Sequence, residues 1–97
     1  MDAEILQAIA DKKVVEFSYQ NFIRIAEPHA YGSFNGVDHL LAWQIRGGPS
    51  STQLPNWLTV ALPQISEFQV LDETFSGKRP DSASHHSAWD ATFAIVR

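Results

Sequence analysis

The stretch VVEFSYQNFIRIAEPHAYGSFNGVDHLLAWQI, residues 14–45, decides the fold. Val15, Phe17 and Tyr19 alternate with Glu16 and Ser18, the period of two that marks a strand with one buried face. Gln20-Asn21 makes a short turn, and a second strand runs from Phe22 to Glu27. Pro28, which lacks a backbone donor, is expected to end its clean pairing. A further strand around His29–Ser33 leads to Asn35-Gly36, a strong hairpin signal because both residues tolerate positive φ. The next strand, Val37 to Ile45, sets Val37, His39, Leu41, Trp43 and Ile45 on one face, with Trp43 expected in the core.

On the N-terminal side, Asp2 is placed to cap a helix over residues 3–12, with Glu4 favoured in its first turn and Lys12 and Lys13 at its end. Ile5, Leu6 and Ile9 form its apolar stripe. On the C-terminal side, residues 46–56 form a loop rich in Gly, Pro and Ser. Strands resume at Trp57–Leu62 and Glu67–Leu71, with Pro63 between them. Residues 76–87 are a polar segment, and 91–96 alternate as a closing strand. The strands of residues 14–75 and the helix thus describe one domain over 1–97, mainly β (α+β), built as a small barrel or sandwich.

Composition narrows the function. Ninety-seven residues with 44% hydrophobic content and three Trp, six Phe and two Tyr are enough for one folded domain. No cysteine is present, which excludes disulfides, thiolate metal sites and a cysteine nucleophile. No signal peptide and no apolar run of ~20 residues is visible, so a cytoplasmic protein without membrane insertion is expected. The net charge of −4 argues against strong generic binding of polyanions, and leaves room only for a local basic patch.

Taken together, these segments resemble the WYL domain, in particular its short stand-alone members. The matching residues are Val15-Glu16-Phe17-Ser18-Tyr19, Arg24, Glu27-Pro28-His29-Ala30 and Leu40-Leu41-Ala42-Trp43-Gln44. They continue with the Gly/Ser loop, Trp57, Ile65, Val70-Leu71-Asp72, Phe75, Gly77, Arg79 and Pro80, so that the likeness runs in order over about four fifths of the chain. The resemblance implies a small Sm-like or SH3-like β-barrel with an N-terminal helix. It also implies a ligand-sensing or regulatory module of bacteria, whose family ligands are nucleotides or nucleic acids held by basic and aromatic residues. This chain departs from the pattern in two places. The Trp-Tyr-Leu triplet falls on Asp38-His39-Leu40, and positions that usually hold arginine are Leu58, Ala61 and Gln64. Each missing arginine removes a charge-assisted, bidentate phosphate contact.

Four residues are candidates for a ligand site. Arg24 sits mid-strand between Ile23 and Ile25 and matches a basic family position. Its alternative is a structural pair with Glu27 or Glu16. Tyr31, His39 and Gln44 would shape the site, with His39 at a usually aromatic position, and the 46–56 loop would act as a lid. A two-residue turn at Asn35-Gly36 sets Phe34 against Val37, Gly32 against His39 and His29 against Ala42. The two histidines then lie on opposite faces and do not share a metal. No Gly-x-Ser-x-Gly elbow, phosphate-binding glycine loop or facing pair of carboxylates is present, so no enzyme activity, cofactor or metal is expected. The competing reading is a protein–protein interaction or self-associating domain, with Leu54, Trp57 and Leu58 on its surface and the family's anion site lost.

Overall fold

The computed structural model describes residues 1–97. The elements are α1 (Asp2–Asp11), β1 (Lys13–Tyr19), β2 (Phe22–Phe34), β3 (Val37–Gly47), β4 (Asn56–Ala61), β5 (Ile65–Thr74) and β6 (Ala91–Ile95). Short 3-10 turns cover Leu62–Gln64 and Ser82–His85. The mainly β fold with one N-terminal helix is therefore as the sequence implies. No helix is long and apolar enough to cross a membrane.

β2 is the spine. Along one edge it pairs antiparallel with β3 from Arg24 to Phe34. Its other edge is shared: β1 pairs with Phe22–Ala26, and β6 pairs with Ala30–Ser33. Pro28 falls in the gap between those two partners, where its missing N–H costs the ladder nothing. The chain therefore runs through as one 13-residue strand, rather than as two strands broken at Pro28. The strand order is β4-β3-β2-β1-β5, with β6 beside β2, so the sheet is an open antiparallel strip. It curls without closing, because no ladder joins β4 to β5 and a barrel needs that last seam. The curl brings Arg46 at the end of β3 to Glu73 at the end of β5, which it meets through two hydrogen bonds of 2.6 and 3.3 Å.

Turn chemistry sets the registers. Asn35 and Gly36 both have positive φ, 52° and 77°, and Phe34 opposes Val37 and Gly32 opposes His39 as the two-residue turn requires. Gln20 and Asn21 do the same for β1 and β2, with φ of 51° and 67°. Farther from the turn the expected pairing fails. Pro28 opposes Ala42 and Ala30 opposes Leu41, so His29 is the extra residue of a bulge and has no partner.

The helix lies on the concave face. Ile5, Ala8 and Ile9 are its buried residues, packed with Val15, Phe17, Ala26, Tyr31, Leu40, Ala42, Val60 and Val96. Leu6 is instead 41% exposed. The true stripe follows i, i+3, i+4, and Ala8 takes the place assigned to Leu6 because the helix sits close to the sheet. Asp2 is the first helical residue and not the cap; Met1 occupies that position, and its carbonyl accepts the Ile5 N–H at 3.1 Å. On β3 the core face is that of Leu40 and Ala42, so Trp43 is half-buried on the other side of the sheet.

Candidate functional site

The four predicted site residues divide between the two ends of the β2–β3 hairpin. Arg24 and Gln44 lie together at the end remote from Asn35-Gly36. Tyr31 and His39 lie near that turn, seven strand residues beyond Arg24, or roughly 20 Å along β2.

At the first end, Arg24 opposes Gly47, and the β1–β2 turn wraps round its side chain. Arg24 is buried, with 6% of the residue exposed. One Nη donates to the Tyr19 carbonyl at 3.3 Å, and the other donates to Gln44 Oε1 at 3.4 Å. Both bonds are long for a charged donor. Nε has no partner. The rings of Tyr19 and Phe22 flank the group, with centroids 5.2 and 5.9 Å from Cζ. Gln44 is held in orientation by its own Nε2, which donates to the carbonyls of Gly47 at 3.2 Å and Arg46 at 3.4 Å.

Glycine is required at this end. Gly47 has φ of 88°, and a Cβ there would strike the Ile23 carbonyl. Gly48 has φ of 79° and donates its N–H to that same carbonyl at 2.9 Å. A Cβ on Gly48 would stand 3.5 Å from an Arg24 Nη. β3 runs on through Gly47 and β4 begins at Asn56, so the loop expected over 46–56 spans only 48–55 and starts directly against the guanidinium.

The expected structural pairing of Arg24 with Glu27 or Glu16 does not occur. Glu16 accepts from Gln69 at 3.1 Å. Glu27 takes a bidentate fork from Arg79, Nε to Oε1 and Nη2 to Oε2, both at 2.9 Å. Arg24 is thus a buried cation without a carboxylate. Burial of an unpaired charge is costly, which makes this the most unusual electrostatic feature of the chain.

At the other end, Tyr31 belongs to the core cluster and is 2% exposed. Its hydroxyl donates to Asp38 at 3.3 Å, and its ring meets Phe93 edge-on at 5.2 Å. Burial, and then the carboxylates of Asp2 and Asp38, hold the phenol well above its ordinary range. His39 bonds through Nδ1 to the Val37 carbonyl at 2.8 Å and faces Phe34 and Trp89. Neither residue shares a site with Arg24.

Sequence reasoning missed a third cluster, built on the Pro28 gap. His29 is 1% exposed, with Nδ1 2.9 Å from the Glu27 carbonyl and Nε2 3.1 Å from the main-chain nitrogen of Arg79. An amide N–H only donates, so Nε2 accepts and the proton sits on Nδ1: the ring is the neutral Nδ1–H tautomer. Burial is the main cause that holds its pKa below 6.5. Trp57 packs edge-on at 4.9 Å and Phe75 stacks at 5.7 Å. The Arg79 guanidinium lies 5.7 Å from the Trp43 ring. Together these contacts clamp the segment after β5 onto β2, β3 and β4. Glu27-Pro28-His29, Trp43, Trp57, Phe75 and Arg79 all belong to the residues that carry the family resemblance, but nothing local in the sequence brings Arg79 to the proline.

Compared with known proteins, the chain matches no family model, no curated protein and no solved structure.

Proposed function

We propose that this chain is a non-enzymatic binding module of the WYL kind, taking a nucleotide or nucleic-acid-like anion against Arg24. The observation that carries the reading is the buried guanidinium with no carboxylate and an unsatisfied Nε. An anionic oxygen supplies the missing counter-charge and a short acceptor in place of long neutral ones. Phe22, 42% exposed beside that guanidinium, offers a π-face on which a base can stack. Gln44 fixes the guanidinium plane, and the loop that begins at Gly47-Gly48 opens to admit the anion. Tyr31 and His39 have no part in this site; Tyr19 and Phe22 take the aromatic role.

The test is fluorescence anisotropy with labelled mixed-sequence single-stranded DNA and RNA, at low and near-physiological salt. Binding that weakens steeply with salt, and that falls in Phe22→Ala by the ~1–3 kcal/mol typical of one stacked base, is the expected result. Absence of binding even at low salt overturns the reading.

A further inference from the structure

We propose that the anion taken at Arg24 is a terminal phosphoryl group, the phosphomonoester of a nucleotide or of a strand end, and that the Thr52 hydroxyl is its second donor. This inference rests on the reading of Arg24 as a ligand residue and names the ligand class. The loop over 48–55 brings Thr52 to the site. A Cβ built on Gly48 would stand 3.3 Å from Thr52 Oγ1 and 3.5 Å from an Arg24 Nη, so the hydroxyl and the guanidinium converge on one place. Glycine keeps that approach open, since the same Cβ would press on Gln44 Nε2 at 2.9 Å. Gln44 is already committed: its Nε2 serves the Gly47 and Arg46 carbonyls, and its Oε1 accepts from Arg24. Thr52 is not. Its side chain is half-buried, and its hydroxyl takes part in none of the chain's side-chain hydrogen bonds. A free hydroxyl beside an under-satisfied guanidinium offers one anion two kinds of donor.

Shape and charge favour a terminal group over an internal phosphodiester. Arg24 lies between the β1–β2 turn on one side and Gly47-Gly48 on the other. The turn is fixed, because Tyr19 and Phe22 on either side of it are paired in the ladder. The loop is held far less. Between Pro49 and Pro55 its one main-chain hydrogen bond is internal, from the Thr52 N–H to the Pro49 carbonyl at 2.9 Å, and Gly48 ties it to β2 only through Ile23. An internal phosphate carries a sugar on each side, so it reaches the guanidinium only by displacing both walls. A terminal phosphoryl carries one sugar, and the loop alone has to move. It also carries about −1.5 to −2 charge at pH 7, more than the single charge of a diester. The excess counts most against a buried cation that has no carboxylate of its own. Phe22, whose ring centroid is 5.9 Å from the Arg24 Cζ, then receives the base of that same terminal nucleotide.

The probe is a hexathymidylate labelled with fluorescein at its 3′ end and carrying either a 5′-phosphate or a 5′-hydroxyl. Anisotropy is read at low salt for the wild type, Thr52→Val and Thr52→Ser. Valine keeps the shape of threonine and removes the donor, whereas serine keeps the donor. The expected result is at least tenfold preference for the 5′-phosphorylated oligomer, reduced severalfold in Thr52→Val and retained in Thr52→Ser. Thymidine 5′-monophosphate should displace it, and thymidine should not. Equal affinity for the two oligomers, equal displacement by thymidine, or a preference unchanged in Thr52→Val overturns the inference and leaves the wider reading of Arg24 standing. Failure of both oligomers to bind overturns that reading, and this inference with it.

Discussion

The Nε2 of His29 accepts the main-chain N–H of Arg79 at 3.1 Å, across fifty residues of sequence. The same Arg79 grips Glu27 through its side chain, so both neighbours of Pro28 are held by one residue. The gap exists because β2 passes from β1 to β6 there, and its polar groups must find partners outside the sheet.

Acid should therefore weaken the fold through His29. Its folded pKa lies below 6.5, so the unfolded chain takes up the proton first. Above 6.5 the group contributes no pH dependence. As pH falls through 6.5 toward the folded value, stability is lost, and the loss levels off below it. Melting temperature measured from pH 7.5 to 4.5 should show this fall, and His29→Gln should flatten the slope over that window. Parallel curves for the two proteins would contradict the assignment.

Removal of Arg79 should strand a carboxylate. Glu27 is 4% exposed, whereas the Arg79 side chain is 41% exposed, so solvent screens part of the pair. Arg79→Ala is expected to cost about 2 kcal/mol, and Glu27→Gln/Arg79→Ala less than that, because the buried charge is then gone. Urea unfolding of the wild type and both variants decides it; a double variant no better than Arg79→Ala would refute the argument.

Gly32 should not tolerate a side chain. A Cβ at Gly32 would collide with the Ala91 carbonyl and stand 2.7 Å from the Trp89 ring, so β6 could not keep its place on β2. Gly32→Ala is expected to destabilise by roughly 1–3 kcal/mol. Trp89 should become more exposed, as shown by a red-shifted emission in a protein whose Trp43 and Trp57 are replaced by Phe. Unchanged emission and stability would show that β6 holds by other means.

What was legible in the sequence was local. Asn35-Gly36 named its turn and the pairing of Phe34 with Val37, because positive φ at two successive residues permits few alternatives. The alternation of Val15 and Phe17 placed their strand correctly for the same kind of reason. What was not legible depends on contacts far along the chain. The His29 bulge is stabilised by Arg79, and no periodicity announces that partner. Trp43 faces away from the core because β3 alternates without interruption and its inward face is that of Leu40, opposite Tyr31, and Ala42. Arg24 was identified as the leading candidate residue. That its companions are Gln44, Tyr19 and Phe22, instead of Tyr31 and His39, follows from the length of β2, which separates the two ends of the hairpin.

Arg24→Met separates an arginine that serves a ligand from one that serves the fold. Methionine fills a similar volume without a buried charge, so removal of an unpaired guanidinium should leave stability unchanged or raise it. Urea unfolding and single-stranded nucleic-acid binding are measured on the same two proteins. A ligand-serving Arg24 gives a midpoint at or above wild type together with at least a tenfold loss of affinity. Full affinity in Arg24→Met, or a clearly lower midpoint, would make Arg24 a structural residue and contradict the proposal.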